Sequence, residues 1–210
     1  MSSGKKGLFI TFEGPDGVGK STHVALLAKY LEENSISAIV TREPGGTTIG
    51  KSLREILLSV DTVGLDPMAE LLIYYADRAQ HISQVIAPAI NNGTWVICDR
   101  FYDSSYAYQS AGHKVSPDAV DTLTSLVASG CKPDITFLLD VEGDSSAQRI
   151  ALRGEAKDRM ELEDNSFKAR VREAFLELAQ REPQRFRKID ASGSPTDTFA
   201  QIISQIKPFL

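Results

Sequence analysis

The sequence predicts an α/β domain of three layers, in which a five-stranded parallel β-sheet lies between two layers of helices. Five short apolar runs alternate along the chain with stretches of helical periodicity. In these runs apolar and polar residues do not alternate strictly, as they would in a strand with one solvent-exposed face. Continuous apolar runs are typical of strands buried on both faces of a parallel sheet. The repeated strand–helix order indicates right-handed crossover connections.

The strands and most of the helices can be placed from periodicity. The predicted strands are residues 8–12, 38–41, 95–99, 135–140 and 186–190. Apolar residues at helical spacing predict one buried face on each of several helices. These faces are Val24, Leu27, Ala28 and Leu31; Ile49, Leu53, Ile56 and Leu57; Phe167, Val171, Ala174, Phe175 and Leu178; and Phe199, Ile202, Ile203 and Ile206. A longer helical stretch at residues 67–92 contains Pro88, which should kink or shorten it.

Bulk composition predicts a single domain over residues 1–210 with a sizeable core, since apolar residues make up 42% of the chain. The formal charge of −5 argues against direct nucleic-acid binding, which needs a basic surface. The two cysteines imply no disulfide framework, and His23, His81 and His113 lack the spacing of zinc ligands. No apolar run suits a signal peptide or a membrane span, so we expect a cytoplasmic protein without a membrane partner.

Residues 14–21 match the phosphate-binding pattern G-x-x-x-x-G-K-[ST] at every fixed position, between a predicted strand and a predicted helix. The glycines let backbone N–H groups fold around an anion, and the helix adds its N-terminal dipole. Lys20 is expected to reach the β- and γ-phosphates, while the Ser21 hydroxyl completes a Mg²⁺ shell. The predicted phosphate-binding residues are Gly14, Pro15, Asp16, Gly17, Val18, Gly19, Lys20, Ser21 and Thr22.

A second anion-binding position is predicted where residues 95–99 end in Asp99, followed by Arg100. Ligands of open α/β sheets bind at the carboxyl ends of the strands. Asp99 is therefore expected to hold Mg²⁺ through water, and Arg100 to grip an acceptor phosphate with its bidentate fork. A surface Asp–Arg pair is the alternative, and the position at the end of a buried strand argues against it.

The two anion sites together favour a small-molecule kinase over other nucleotide-binding classes. A GTPase would carry an N-K-x-D motif after a later strand, and the sequence contains none. A translocating ATPase would bring more mass and a longer second domain. A kinase instead needs an acceptor site facing the loop and a positive clamp on the transferring phosphoryl group.

Four segments resemble signature segments of the thymidylate kinase family. Together with the phosphate loop, they occur along the chain in the same order as in the family. They are Thr41-Arg42-Glu43-Pro44-Gly45-Gly46-Thr47, Leu71-Leu72-Ile73-Tyr74-Tyr75-Ala76-Asp77-Arg78, Asp99-Arg100-Phe101 and Ser104-Ser105-Tyr106-Ala107-Tyr108-Gln109. The resemblance runs from about Gly7 to the C-terminus. It implies a three-layer P-loop nucleoside-monophosphate-kinase fold with a mobile lid. It also implies transfer of the γ-phosphoryl group of ATP to dTMP with Mg²⁺, a step in dTTP synthesis.

The same resemblance implies catalytic roles on the acceptor side. Asp16 would accept a hydrogen bond from the sugar 3′-hydroxyl, and Arg100 would bind the acceptor phosphate. Arg42 is a candidate second arm on that phosphate, and Arg54 is a further one. The acceptor oxygen is already ionised at neutral pH, so catalysis needs charge neutralisation by groups such as Lys20 more than it needs a general base.

The nucleoside of dTMP is implied to contact a further set of residues: Pro44, Tyr74, Arg78, Ser105, Tyr108 and Gln109. Arg78 would hydrogen-bond a thymine carbonyl, with Ser105 and Gln109 beside the base edge. Tyr74 would stack on the pyrimidine, at a position where the family often has Phe. Tyr108 would lie against C2′ and exclude a ribose hydroxyl, and Pro44 would shape the wall near the sugar and the 5-methyl group.

The lid is predicted at about residues 144–164. Some family members carry an arginine directly after the phosphate-loop Asp, where this chain has Gly17, so it resembles the bacterial type whose lid supplies the basic residue. The candidates are Arg149, Arg153, Lys157 and Arg159. Arg153, in a segment similar to the family's lid, is the predicted transition-state clamp, although spread charge on a helix–loop is often only solvated.

Two other interpretations stay open from the sequence. The first is another nucleoside-monophosphate or deoxynucleoside kinase of the same fold. The second is a regulatory protein that binds a nucleotide without turnover. The resemblance also implies a homodimer packed through helices, to which the stretch at residues 67–92 would contribute.

Overall fold

The computed structural model describes residues 6–141, 154 and 156–210. Its parallel β-sheet contains five strands in the spatial order β2-β3-β1-β4-β5. The strands are β1 (Phe9–Glu13), β2 (Ala38–Arg42), β3 (Trp95–Asp99), β4 (Ile135–Asp140) and β5 (Phe186–Asp190). The helices within the described residues are α1 (Lys20–Glu33), α2 (Thr48–Leu58), α3 (Pro67–His81), α4 (Ala87–Asn91), α5 (Tyr102–Ser105), α6 (Pro117–Ala128), α7 (Asn165–Arg181) and α8 (Pro195–Ile206). Ile82–Ile86 and Tyr106–Gly112 form π-helical turns, and Lys207–Phe209 forms a 3-10 turn.

The predicted parallel sheet of five strands is confirmed, but burial on both faces holds only for its centre. Every residue of β1 and β4 is buried. In β2 no residue is fully buried, and Val40 is exposed. The prediction is wrong for β2 because this strand pairs only with β3 and lies at the edge of the sheet.

Two apolar layers cover the faces of the sheet. On one face, Ile10 and Phe12 of β1 pack in a cluster with Leu27 of α1 and Ile202 of α8. On the other face, Phe9 of β1 lies in a cluster with Val96, Cys98, Ile86 and Phe101. The predicted buried faces of α1, α7 and α8 are confirmed in these and neighbouring clusters. Because β1 is held from both sides, the loop that follows it starts from a rigid strand.

Helix α2 does not bury the face that its periodicity predicts. Ile49 and Ile56 are exposed, whereas Gly50 and Leu57 are buried. Gly50 packs so closely on α3 that an added Cβ would lie 2.2 Å from Asp77 Oδ1. The prediction for Ile49 and Ile56 is wrong because periodicity identifies an apolar stripe without showing what covers it.

The helical stretch predicted at residues 67–92 is interrupted, as Pro88 led us to expect. Asp66 caps α3 by accepting hydrogen bonds from the N–H groups of Met68 and Ala69, and Pro67 occupies its first turn. The helix ends at His81 and gives way to a π-helical turn before Pro88, which has no N–H to donate. Helix α6 was not predicted. None of the described helices is long and apolar enough to cross a membrane.

The carboxyl ends of β1, β2 and β3 meet at one edge of the sheet because all three run in the same direction. Asp99 stands beside Phe12 in the β1–β3 register and beside Arg42 in the β2–β3 register. The phosphate loop, the segment after Arg42 and the Asp99–Arg100 turn therefore converge at this edge, where open α/β sheets bind their ligands.

Candidate active site

The phosphate loop leaves β1 at Gly14 and enters α1 at Lys20. Gly14 and Gly19 have φ angles of +133° and +95°, in a region that side chains with a Cβ rarely adopt. A Cβ on Gly14 would also lie 2.2 Å from the carbonyl oxygen of Leu139. Gly19 provides no side-chain cap for α1, so the first N–H groups of this helix remain for an anion.

Lys20 lies over this loop. Its Nζ donates to the carbonyl oxygens of Gly14 at 3.0 Å and of Pro15 at 2.7 Å. Burial, together with the positive charge of Arg100, lowers its pKa to about 8. The ammonium is thus held at the loop, where the sequence predicts a contact with phosphate.

Ser21 and Asp99, the predicted metal residues, are brought together. Ser21 Oγ donates to Asp99 Oδ2 at 2.8 Å. Among the described residues no group of His, Cys, Asp and Glu could hold a metal ion by itself. A hydroxyl and a carboxylate beside a phosphate loop nevertheless suit Mg²⁺, which is usually bound by one or two protein oxygens together with water and substrate phosphates.

Arg100 is the centre of a cluster that joins the phosphate loop to the segment after β3. Its Nη2 donates to Asp16 Oδ1 at 2.6 Å and to Tyr108 Oη at 3.0 Å. Its Nη1 donates to the Gly14 carbonyl oxygen and to Ser104 Oγ, both at 3.0 Å. Tyr108 Oη in turn donates to Asp16 Oδ2 at 2.8 Å. Burial works to raise the pKa of Asp16, but Arg100 and Lys20 lower it to about 2, so this carboxylate is ionised.

Glu13 supports the Arg100 turn from beneath. Arg100 has a φ of +71°, which is uncommon for a residue with a side chain. The buried Glu13 accepts hydrogen bonds from Phe101 N at 2.7 Å and from Ser104 Oγ at 2.6 Å. Burial and the negative charge of Asp103 raise its pKa to about 8. Glu13 therefore fixes both the backbone after Arg100 and the hydroxyl that accepts from the guanidinium.

Two joined cavities occupy this edge of the sheet. A cleft of about 420 Å³ lies over the phosphate loop and includes Lys20, Ser21, Thr22 and Asp99. Beside it lies a pocket of about 80 Å³. The pocket is lined by Asp16, Glu43, Pro44, Arg54, Leu58, Tyr74, Arg78, Arg100, Phe101, Ser104, Ser105, Tyr108, Gln109, Asp158 and Met160. All the residues predicted for dTMP line this pocket except Arg42, which is exposed and lines the cleft.

The far end of the pocket is organised by a buried ion pair. Arg78 Nε donates to Glu43 Oε2 at 2.8 Å, and Arg78 Nη1 donates to Ser105 Oγ at 3.2 Å. The guanidinium lies over the Tyr75 ring, 4.5 Å from its centroid. The other oxygen of Glu43 accepts from His81 Nδ1 at 2.9 Å. Arg78 is therefore locked in place before any ligand arrives.

Part of the predicted lid is described, and it docks on α2 and α3. Arg159 donates to the carbonyl oxygen of Leu57 and to Glu70 Oε2. The Arg159 side chain is therefore occupied by hydrogen bonds to these oxygens, whereas the Lys157 side chain is exposed to solvent. Arg149 and Arg153, the remaining lid candidates, lie outside the described residues, so the role predicted for Arg153 stays a prediction.

Sequence reasoning missed three buried carboxylates of the site, Glu13, Glu43 and Glu70. Glu13 ends β1 and Glu43 follows β2, so both stand at the strand ends where ligands bind. Glu70 belongs to a stripe of buried charge on α3 that continues with Asp77, Arg78 and His81. Charged residues recurring at helical spacing on a buried face were the available signal.

Another groove, of about 730 Å³, lies between α6 and α7. It includes Asp103, Lys114 and Lys132 but no residue of the phosphate loop. Although this groove is large, it does not include the phosphate loop, where a triphosphate would bind. We therefore do not assign phosphoryl transfer to it.

A phosphate loop at the end of a central parallel strand, with a second arginine-lined pocket beside it, defines the class of P-loop phosphotransferases that act on two small substrates. The family model for thymidylate kinase matches residues 12–202 of the chain. The thymidylate kinase of Methylococcus capsulatus is 49% identical over 204 residues, which span 97% of each chain. That of Pelobacter propionicus is 44% identical over 205 residues, covering 95% of this chain and 94% of that protein.

A solved structure leads to the same family. The crystal structure of thymidylate kinase from Ehrlichia chaffeensis superposes with a TM-score of 0.78 at 35% identity, covering 96% of this chain and 99% of that one. The chain belongs to the thymidylate kinase family. The predicted resemblance and the predicted P-loop nucleoside-monophosphate-kinase fold are confirmed.

Proposed function

We propose that this chain phosphorylates dTMP to dTDP with ATP and Mg²⁺ in the two joined cavities. Membership of the thymidylate kinase family makes the chain a dTMP kinase and implies the use of ATP with a metal ion. One observation supports the assignment of residues above all: Asp16, Arg54 and Arg100 line both the cleft and the pocket. A phosphate bound in the pocket would therefore face a γ-phosphate bound over the loop.

On the donor side, the loop N–H groups and Lys20 are assigned to the triphosphate. Ser21 is assigned to Mg²⁺ directly and Asp99 through water, which agrees with their adjacent oxygens. Bound Mg²⁺ would neutralise charge on the phosphate oxygens. Positioning by the loop and this neutralisation together are what a phosphoryl transfer requires.

On the acceptor side, an oxygen of the dTMP phosphate attacks the γ-phosphorus while the bond to the β–γ bridging oxygen breaks. The bridging oxygen keeps the electron pair and leaves as part of ADP. Because the attacking oxygen is already ionised, no general base has to remove a proton. Arg100 and Lys20 are assigned to hold the two negative groups together.

The acceptor phosphate has to displace an internal partner of Arg100. Pockets for small molecules typically measure ~300–1,000 Å³, whereas this one measures about 80 Å³. Three of its lining residues, Asp16, Arg100 and Tyr108, are hydrogen-bonded to one another. We infer that the dTMP phosphate replaces Asp16 as the hydrogen-bond acceptor of the Arg100 guanidinium. Asp16, ionised and released, then accepts from the 3′-hydroxyl.

The remaining residues are assigned to the nucleoside. All of these residues line the pocket. Arg78, Ser105 and Gln109 are assigned to the edge of the base and Tyr74 to its face, while Pro44 and Tyr108 are assigned to the sugar. Arg153 and Arg42 are retained as further contacts to phosphate on sequence grounds. Direct nucleic-acid binding is not expected for a chain of charge −5, and a cytoplasmic location stays a prediction.

An acceptor panel tests the proposal. Purified protein, ATP and Mg²⁺ are incubated with dTMP, dUMP, dCMP or thymidine, and ADP formation is followed with and without EDTA. We expect dTMP to be the best acceptor and EDTA to abolish turnover. Equal rates for all acceptors would overturn the dTMP assignment, and full activity in EDTA would overturn the metal assignment.

The homodimer is proposed from an apolar surface on adjacent helices. Ile49 of α2 is 57% exposed, Leu72 of α3 is 50% exposed and Leu126 of α6 is 77% exposed. Helix α3 contacts both α2 and α6, so these side chains belong to neighbouring elements. Burying such a face against a second copy removes apolar surface from water. Sedimentation showing only monomer at micromolar concentration would overturn this assignment.

A further inference from the structure

Glu70 is a buried carboxylate of α3 that touches the pocket only through its neighbours. Its Oε1 accepts from Gln109 Nε2 at 2.8 Å and from His113 Nδ1 at 3.0 Å. Its Oε2 accepts from Arg159. Burial works to raise the pKa of Glu70, but these donors lower it, so the group is ionised and can only accept hydrogen bonds.

The ionised carboxylate dictates which way the Gln109 amide points. Only the amide nitrogen of Gln109 can donate, so Nε2 has to face Glu70, and the carbonyl Oε1 takes the other position of the amide. Within the part of the chain that the structure describes, no donor is paired with Oε1. Gln109 lines the pocket, so this acceptor is available to a ligand.

Arg78 supplies the complementary group at the same end of the pocket. Its guanidinium carries donors only and is already fixed by Glu43 and Ser105. The pocket thus offers a fixed donor and a fixed acceptor to the edge of a base. Thymine and uracil present a C4 carbonyl acceptor beside an N3–H donor. Cytosine presents the reverse, an amino donor beside an N3 acceptor.

We propose that Glu70 is a specificity-determining positioning residue: by holding the Gln109 amide with its oxygen towards the base, it makes the pocket accept pyrimidines with an N3–H and reject cytosine. The inference rests on the proposed function, because it requires a pyrimidine nucleotide in this pocket. A site built to pair with one polar pattern rejects the opposite pattern, because buried polar groups would be left unpaired.

The substitution Glu70→Gln tests this role. Gln at position 70 can donate to Gln109 Oε1, so the amide of Gln109 is free to turn over. We expect the ratio of kcat/KM for dTMP to that for dCMP to fall at least about tenfold, the discrimination typical of a well-formed polar pair. The ratio is the informative readout, because a loss of packing alone would lower both activities together.

A double-mutant comparison shows whether Glu70 acts through Gln109. In a Gln109→Leu background, Glu70→Gln should change the dTMP/dCMP ratio no further, since the amide that it orients is gone. Arg159→Gln is the matched control, because it breaks another hydrogen bond to Glu70 and leaves Gln109 held. It should leave the ratio unchanged even if kcat falls. An effect of equal size in the Leu background would overturn the proposal.

Thermal unfolding of each variant is measured beside the kinetics. If Glu70→Gln does not fold, Glu70→Asp, which keeps the carboxylate but withdraws it by one methylene, carries the same comparison. An unchanged ratio in a folded Glu70 variant overturns the inference while the wild type still phosphorylates dTMP. A wild type that does not phosphorylate dTMP would overturn the proposed function itself.

Discussion

At the phosphate end of the pocket, Arg100 is paired with Asp16, whose side chain is 31% exposed. At the base end, Arg78 is paired with Glu43, and each of these side chains is only 2% exposed. Both are arginine–carboxylate pairs with short hydrogen bonds, 2.6 Å for the first and 2.8 Å for the second. Their surroundings, however, differ in access to water and to ligand.

The difference indicates two ways of using a charged pair. The Arg100 pair can separate cheaply, since Asp16 can be solvated or can find a new partner while the guanidinium passes to an entering phosphate. The Arg78 pair cannot separate without leaving a buried charge alone, so it is a fixed part of the pocket, which the proposed function assigns to the base. Under the proposed function, the pocket would combine an exchangeable clamp for the acceptor phosphate with a preorganised frame that reads the base.

Arg100→Ala should give the largest effect on ligand affinity. The variant removes the guanidinium that we assign to the acceptor phosphate, and losing one partner of a hydrogen-bonded charge pair costs ~2–5 kcal/mol. We expect the Kd for dTMP, measured by titration calorimetry, to rise about 100-fold. Arg181→Ala, at an exposed arginine paired within α7, is the control and should bind dTMP normally. Unaltered dTMP affinity in Arg100→Ala would remove Arg100 from the acceptor site.

Glu43→Gln should affect both stability and recognition. The change leaves Arg78 buried without a negative partner, which typically costs ~3–5 kcal/mol of folding stability. The base reader also loses its anchor, so we expect KM for dTMP to rise about tenfold while kcat falls less, as for an interaction made equally in ground and transition states. Denaturant unfolding and steady-state kinetics check the two parts. If both the KM for dTMP and the free energy of unfolding equalled those of the wild type, Glu43 would not be the anchor that holds Arg78 in place.

Asp77→Asn should give the smallest effect, and one that depends on pH. Asp77 Oδ1 accepts from Gly45 N at 3.2 Å, while Oδ2 is buried with no hydrogen-bond partner among the residues described. Burial and the nearby Glu43 raise the pKa of Asp77 from 3.8 to about 6. Its neutral form therefore favours folding at low pH, and that contribution is lost as pH rises from 3.8 through about 6.

The Asn side chain does not ionise, so the folding stability of the variant should increase relative to that of the wild type as pH rises. We expect the variant to be more stable by about 1 kcal/mol at pH 7 and to lose this advantage near pH 4. Thermal unfolding over this range checks the expectation. A stability difference that is constant with pH would show that Asp77 does not titrate in the base-end frame.

The sequence by itself determined the framework of the site. The glycine pattern identified the phosphate loop because its backbone geometry tolerates few alternatives, and short apolar runs identified β3, β4 and β5 with their observed bounds. Asp99 and Arg100 were placed at the ligand edge by their position after a buried strand. In each case the physical signal is local, since it is contained in a few neighbouring residues.

Only the tertiary structure decided how the charges pair. Arg100 meets Asp16 across 84 residues of sequence, and Gln109 meets Glu70 across 39. The strand-end positions of Glu13 and Glu43 and the charged stripe that contains Glu70 are local signals, but they do not show which groups these carboxylates pair with. The outward face of α2, predicted to be buried, was likewise settled by which helices became neighbours. Pairing and burial depend on contacts between distant segments, and local periodicity does not carry that information.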